Sequence, residues 1–150
     1  MWTQTAGALG AGYEGKDIDG FIDGLASWGI DTLVDVRLNP ISRKRGFSKN
    51  KLREALISRG ISYRHEPALG NPKDNREGYS TVGTDLGNAA RARFAELLST
   101  NEAELAMDQV AELASRVHVA VMCFEASELN CHRREVLKEL DRRLAALMPA

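Results

Sequence analysis

Apolar residues recur with helical spacing in several stretches of the chain. The first such stretch has apolar side chains at i, i+3, i+4 and i+7, namely Ile18, Phe21, Ile22 and Leu25. This spacing predicts a helix with one apolar face. Asp17 is placed to cap its first turn, and Gly29 is placed to end it.

Runs of a second type predict strands. Residues 32–36 form a short β-branched run that stops before Pro40, and residues 61–65 alternate between apolar and polar side chains. Residues 117–124 form the strongest apolar run, which predicts a central parallel strand covered on both faces. Residues 5–13 predict only a weak first strand, because glycine is poor in strands.

Further helices separate these strands. We predict a helix capped by Ser48 and ended by Gly60, a helix over about residues 88–98, a helix opened by a capping box from Ser99 to Glu102, and a last helix that starts near Asn130. The alternation predicts a three-layer α/β fold of Rossmann-like type, with an open, mostly parallel sheet and helices on both faces. Residues 67–87 lack a clear period and predict a long lid or binding loop.

Composition adds few constraints. The 150 residues have the size of one domain, and the formal net charge of −1 favours no particular partner. Two cysteines are too few for a disulfide framework and fit a reducing compartment. No apolar run approaches the ~20 residues of a membrane span, and residues 1–12 do not resemble a signal peptide. We therefore expect a cytoplasmic protein with no membrane partner; the sequence does not indicate its oligomeric state.

Reactive side chains follow several predicted strands. Arg37, His65 and Cys123 each lie at or just after a strand end, where open parallel sheets bind their ligands. Cys131 and His132 are expected in the first turn of the last helix, whose amide groups and dipole favour a thiolate or a bound anion. The pattern predicts one shared site, although a cysteine ending a buried strand is equally often a small core residue.

A metal site and a disulfide are two other uses of the same cysteines. Seven residues separate Cys123 from Cys131, which is wider than a zinc knuckle. With His132 they would need a fourth ligand, such as His65, His118 or Glu125. We therefore assign no metal site from the sequence and leave the cofactor open. A disulfide is possible, because a strand end and the next helix start can be close.

Charged residues mark a second part of the expected site. Asp35 and Arg37 alternate onto one face of their strand, where they form either a ligand-orienting pair or a structural ion pair. Residues 37–53 carry seven basic side chains and no acidic one, which suits nucleotides or nucleic acid. Phe47 is the only aromatic residue among them, so a stacking platform for single strands is not indicated. A solvated loop and helix face is the commoner explanation of such a run.

Several short motifs occur in a fixed order along the chain. They are Gly12-Tyr13-Glu14-Gly15, Leu33-Val34-Asp35-Val36-Arg37 with Pro40 and Ser42, Phe47, Gly60-Ile61-Ser62-Tyr63, His65, Leu69-Gly70, Met122-Cys123-Phe124-Glu125, and Cys131-His132-Arg133. This pattern resembles the bacterial and archaeal family known as domain of unknown function 488. The resemblance implies an α/β fold and adds Tyr13 and Ser42 to the expected site, but it supplies no established activity.

Two departures and one weaker analogy accompany this resemblance. The first strand is unusually rich in Gly and Ala, and a further strand that many family members have after the last helix is not expected here. The chain is also similar to rhodaneses, in which an aspartate and arginine follow one strand and a cysteine ends a later one. The acidic, glycine-free loop after Cys123 does not match their anion cradle.

The leading functional hypothesis is an enzyme acting on an anionic or phosphate-bearing small molecule or nucleotide. Arg37, Arg43 and Arg133 would hold the anion, Cys123 or Cys131 would supply a thiolate, and Glu125, His132 or His65 would move protons. The alternatives are a non-catalytic nucleic-acid-binding or regulatory module that uses residues 37–53, and a metal-dependent or redox-sensing domain.

Overall fold

A four-stranded parallel sheet forms the centre of the protein. The computed structural model describes residues 7–79, 81–125 and 131–147. Its strands are β1 (Gly7–Gly12), β2 (Thr32–Asp35), β3 (Ser62–His65) and β4 (His118–Cys123). They pair in the order β1-β4-β2-β3, and every pair is parallel. The long apolar run of β4 is thus central, as its composition predicts.

Within the described residues, six α-helices cover the two faces of this sheet. They are α1 (Ile18–Ser27), α2 (Lys49–Ile57), α3 (Arg76–Tyr79), α4 (Asp85–Leu98), α5 (Asn101–Ala114) and α6 (Arg133–Leu147). The apolar residues of α1 and α2 pack on one face of the sheet, and those of α4, α5 and α6 pack on the other. The predicted three-layer α/β fold is therefore confirmed. No helix within the described residues is long and apolar enough to cross a membrane.

The periodic segments fold where the sequence places them. The weak first strand is present, although its predicted start at residue 5 lies outside the described residues. Asp17 caps α1 by accepting a hydrogen bond from the Gly20 amide at 2.7 Å. Gly29 follows this helix with a φ of 69°, a left-handed conformation that glycine adopts without steric cost.

The segment predicted as one long loop, residues 67–87, is mostly structured, so that prediction is wrong. It contains two 3₁₀ turns, Pro67–Leu69 and Lys73–Asn75, followed by α3. Helix α4 also starts at Asp85 rather than near residue 88, with the Thr84 side chain accepting from the Gly87 amide. Each turn is too short to show a repeating apolar period, which is why the sequence pattern misses it.

Two other helix starts differ from expectation. Helix α5 is capped by Thr100, whose hydroxyl accepts from the Ala103 amide at 3.3 Å, and not by Ser99. Helix α6 begins at Arg133, so Cys131 and His132 precede it rather than occupying its first turn. The predicted start at residue 130 lies outside the described residues.

The strand order creates a crevice between β2 and β4. The chain leaves β2 toward α2 and β3, on one side of the sheet. It leaves β4 toward α6, which packs against β1 on the other side. Ligands of open parallel sheets bind where neighbouring chain connections diverge in this way. The carboxyl ends of β2 and β4 are therefore the expected position of a site.

Candidate functional site

A cleft of about 280 Å³ opens at this position. Its lining combines residues that follow β1, β2 and β4 with residues of the segment before α4: Tyr13, Arg37, Asn39, Ile41, Ser42, Arg43, Asn71, Arg76, Tyr79, Cys123, Phe124, Glu125 and His132. We refer to this space as the cleft. The structure thus brings together seven of the eleven residues that the sequence assigns to a site. Of the other four, Asp35, Cys131 and Arg133 contact lining residues from behind, and His65 braces the backbone of Arg37.

A buried ion pair forms the β2 side of the cleft. The Arg37 guanidinium donates from Nε to Asp35 Oδ1 at 2.9 Å and from Nη2 to Asp35 Oδ2 at 2.7 Å. The Arg37 amide also donates to Asp35 Oδ1 at 3.0 Å. Asp35 is fully buried and Arg37 nearly so. Two-point contact of this kind fixes the orientation of the guanidinium plane.

Neighbouring groups use most of the remaining hydrogen-bonding capacity of this pair. Arg37 Nη1 donates to the Phe47 carbonyl at 2.6 Å and to the Tyr13 hydroxyl at 3.3 Å. The Tyr63 hydroxyl donates to Asp35 Oδ2 at 2.6 Å. Burial and this hydrogen bond raise the pKa of Tyr63. Burial alone would lower the pKa of Arg37, but the hydrogen bonds and charge of Asp35 outweigh it and raise that pKa.

The connection from β2 to α2 folds back over the same side. Ser48 precedes α2, but its hydroxyl ties down Ser42 by accepting from the Ser42 amide at 3.0 Å, so it forms no side-chain cap. Lys44 donates to the Tyr13 carbonyl at 3.1 Å, while Arg43 remains exposed and lines the cleft. Two of the seven basic side chains of residues 37–53 are thus engaged by the fold, Arg37 in a buried ion pair and the half-buried Lys44 with the Tyr13 carbonyl.

Cys123 and Cys131 form a disulfide behind the β4 side of the cleft, which is one of the uses expected from the sequence. Their Cα atoms are 7.5 Å apart. Arg133 supports both sulfurs: its amide lies 3.5 Å from Cys131 Sγ, and its Nη1 lies 3.3 Å from Cys123 Sγ. Nη1 also donates to the Glu125 carbonyl. Positive groups next to sulfur favour the thiolate whenever the pair is reduced.

His132 lies beside these sulfurs and is 9 % exposed. Its Nε2 is 2.9 Å from the Val36 carbonyl, and its Nδ1 is 3.7 Å from Cys131 Sγ. Burial lowers the pKa of His132 to about 4, so the ring is neutral near pH 7. A carbonyl oxygen only accepts hydrogen bonds, so Nε2 carries the proton and Nδ1 presents a lone pair toward the sulfur.

The two remaining proton-transfer candidates have different positions. Glu125 lines the cleft, and its Oε2 lies 3.4 Å from Cys123 Sγ. His65 does not line the cleft; its Nε2 lies 2.8 Å from the Arg37 carbonyl. The arrangement favours Glu125 as a group facing a ligand and His65 as a brace for the loop after β2.

Three residues that the sequence did not predict form a third side of the cleft, which we call the third wall. Asn71, Arg76 and Tyr79 line the cleft from the segment before α4. The length and composition of that segment predicted a binding role without indicating which side chains carry it. Asn71 is positioned by the Asn75 side-chain amide, which donates to Asn71 Oδ1 at 2.8 Å. Tyr79 donates to Glu135 Oε2 at 2.6 Å, which ties the wall to α6.

Gly70 lets this wall approach the loop that follows β2. A Cβ on Gly70 would lie 2.7 Å from the backbone nitrogen and Cα of Leu38. Real Cβ atoms essentially never come so close to backbone. Glycine is therefore required for Asn71 to reach its place in the cleft.

Charge in the cleft is predominantly positive. Arg37 is neutralised by Asp35, whereas Arg43 and Arg76 line the cleft and form no ion pair with any residue that the structure describes. Glu125 is the acidic residue of the lining. Three side chains with lone pairs lie close together beside the cleft. One ligand atom from each of Cys123, Cys131 and His132 lies within 4.8 Å of the other two. Arg43 and Arg76 thus line the same cleft as a cluster of sulfur and imidazole side chains.

Comparison with known proteins places the chain in a family without assigning an activity. No curated protein and no solved structure matches the chain significantly. The family model described as domain of unknown function DUF488 matches residues 17–140, which include both sides of the cleft. The chain therefore belongs to the DUF488 family.

Proposed function

We propose that this protein is an enzyme that binds an anionic, phosphate-bearing small molecule or nucleotide in the cleft and transforms it at the Cys123, Cys131 and His132 cluster. One observation carries the proposal. Arg43 and Arg76, from two separate elements, line the same cleft as Cys123 and His132, without an ion pair to another described residue. Arginine binds phosphate and carboxylate oxygens through two parallel N–H groups, which suits such a ligand.

The size of the cleft supports a small substrate over a polymer. Its volume of about 280 Å³ is close to the lower end of the roughly 300–1,000 Å³ usual for small-molecule sites. Burial of Arg37 and the hydrogen bond from Lys44 to the Tyr13 carbonyl engage two of the seven basic side chains of residues 37–53 within the fold. These features favour the small-molecule proposal over the nucleic-acid-binding alternative.

Within this proposal, different residues of the cleft bind the ligand, support the site and transfer protons. Arg43 and Arg76 hold the anion, and Asn71 supplies a neutral polar contact beside them. The Asp35–Arg37 pair keeps the β2 side of the cleft rigid, and the Tyr13 hydroxyl accepts from Arg37 Nη1 at 3.3 Å. Glu125, whose Oε2 lies 3.4 Å from Cys123 Sγ, accepts or returns a proton near the sulfurs.

Calorimetric titration at low salt tests ligand binding, with inorganic phosphate, pyrophosphate and a nucleoside monophosphate as probes. We expect saturable binding of at least one probe, and we expect Arg76→Ala and Arg43→Ala each to weaken it by about 10-fold or more, the value of one charge-assisted hydrogen bond. Arg53→Ala is the matched control, because Arg53 is exposed on α2 and does not line the cleft. Absence of saturable binding, or an equal loss in the control, would refute the proposal.

Turnover tests the catalytic half of the proposal. The bound probes and p-nitrophenyl phosphate are incubated with the reduced protein and with its Cys131→Ser variant. We expect the variant to retain ligand affinity and to lose turnover. If the variant turns over a probe as fast as the unmodified protein, the sulfur cluster is not where the reaction occurs.

A further inference from the structure

Cys123, Cys131 and His132 carry an arrangement that the proposed anion site does not require. Each contributes one buried ligand atom, and the three atoms lie within 4.8 Å of one another. Two thiolates and one imidazole are a ligand set that zinc accepts in catalytic sites, where a fourth position stays open for water or substrate. The wide sequence spacing argued against such a site, but the fold brings the three residues together.

The imidazole is held as a metal-binding histidine usually is. Its Nε2–H is fixed by the Val36 carbonyl at 2.9 Å, which leaves Nδ1 on the side of Cys131 Sγ. Histidine ligands commonly donate their second ring N–H to a backbone carbonyl in this way, because that bond sets the tautomer and the ring orientation. This feature has no evident use in a purely structural disulfide.

The cysteines are also spaced and supported for a shared ion. Their Cα separation of 7.5 Å exceeds the 4.4–6.8 Å usual for disulfides. Arg133 points N–H groups at both sulfurs, and such outer contacts stabilise thiolate ligands. Two thiolates balance the charge of one divalent cation, so the buried cluster becomes neutral when it is loaded.

We infer that, in the reduced protein, Cys123, Cys131 and His132 bind one Zn²⁺ ion at the edge of the cleft. Cys123 and His132 both line the cleft, so the ion would lie at the edge of the space that Arg43 and Arg76 also line. Hydrogen peroxide, as a two-electron oxidant, takes one electron from each thiolate and is reduced, with two protons from solvent, to two waters. The Cys123–Cys131 disulfide that forms no longer carries the thiolate charges, so the ion is released to solvent. The identity of the ligand that would reach the ion rests on the proposed function. Zinc binding by the three side chains does not depend on that function.

Metal titration of the reduced, chelator-treated full chain tests this inference. Co²⁺ is added under anaerobic conditions to report thiolate ligation through its absorption bands, and Zn²⁺ affinity follows from competition with a chromogenic chelator. We expect one equivalent to bind, and we expect Cys131→Ser and His132→Gln each to weaken binding by at least about 100-fold, the upper range for loss of a supporting residue. His118→Gln is the control, because His118 lies at the opposite end of β4.

A second measurement covers variants that fail to fold. In the unmutated reduced protein, Zn²⁺ should slow alkylation of both cysteines by iodoacetamide, and prior oxidation should abolish metal uptake. The inference is overturned if the reduced protein takes up no metal, if uptake survives oxidation, or if Cys131→Ser binds as tightly as the unmutated chain. Zinc binding without phosphate binding would refute the proposed function alone, and phosphate binding to a protein that takes up no metal would refute only the zinc site.

Discussion

The two sides of the cleft differ in what their polar groups are free to do. On the β2 side, Asp35 and Arg37 bind each other at two points, and Tyr63 and the Phe47 carbonyl use much of the remaining capacity. On the β4 side, the Cys123–Cys131 pair and His132 hold lone pairs and a bond that can be reduced. The polar groups of the β2 side are therefore bound to one another, whereas those of the β4 side include a reducible bond and a neutral imidazole.

This contrast shows why a charged pair at a strand end is ambiguous in a sequence. Asp35 and Arg37 fit a ligand-orienting pair and a structural ion pair equally well until their partners are known. The structure favours a role in the ion pair alone for Asp35, which is fully buried. Arg37 takes part in the same ion pair and also lines the cleft. The arginines available to a ligand, Arg43 and Arg76, have no carboxylate partner among the described residues.

Removal of Asp35 should have the largest effect on the β2 side. Asp35→Ala leaves the Arg37 guanidinium buried without its counter-ion, and we expect the free energy of unfolding to fall by about 3–5 kcal/mol in urea denaturation. Asp23→Ala is the control, because Asp23 pairs with Arg59 at 2.8 Å on the exposed surface, where the loss should stay below about 1 kcal/mol. Equal losses in the two variants would remove the distinction between a structural wall and an ordinary ion pair.

Reduction should have the next largest effect, and it should act on the β4 side. The cysteines are 8 residues apart in sequence, and closing so short a loop stabilises the folded state by about 2–3 kcal/mol in the chain-entropy description. Unfolding with and without a reductant, in the presence of a chelator, measures this difference. The Cys131→Ser variant should show no response to the reductant; a response in that variant would mean that the reductant acts elsewhere.

Loss of one tyrosine hydroxyl should have a smaller effect. Tyr63→Phe removes the hydrogen bond to Asp35 Oδ2, and we expect the free energy of unfolding to fall by about 1–2 kcal/mol, since the carboxylate keeps its contacts with Arg37. Tyr13→Phe, whose hydroxyl lies 3.3 Å from Arg37 Nη1, should cost less. A larger loss for Tyr13→Phe than for Tyr63→Phe would show that the Tyr13 hydrogen bond stabilises the β2 side more than its length of 3.3 Å indicates.

The sheet could be predicted from the sequence because burial leaves a strong pattern. Residues 117–124 and 32–36 are apolar for a simple reason: strands covered on both faces have no solvent side. Knowing where those strands end was enough to place Arg37 and Cys123 at one edge. The resemblance to the family pointed to the same residues, and the match over residues 17–140 confirms the membership in that family.

Local sequence patterns do not predict the rest of the site. Asn71 lies between two 3₁₀ turns and Arg76 begins the four-residue helix α3, elements too short to show a period, so their common direction depends on packing that no local rule describes. The start of α6 was placed too early because helix starts are recognised by side-chain oxygens. Here the Cys131 sulfur lies next to the first helical amide, that of Arg133, at 3.5 Å.

The central place of β4 also governs when the protein can fold during its synthesis. Strands β1 and β2 are made early, yet neither pairs with the other, because β4 is inserted between them. The hydrogen bond from His132 to Val36 closes a loop of 96 residues. A nascent chain that has not yet emerged past residue 123 therefore leaves β1 unpaired and β2 paired only with β3 along one edge, and such open strand edges are prone to association. Completion of the sheet and assembly of the site are then late and nearly simultaneous events.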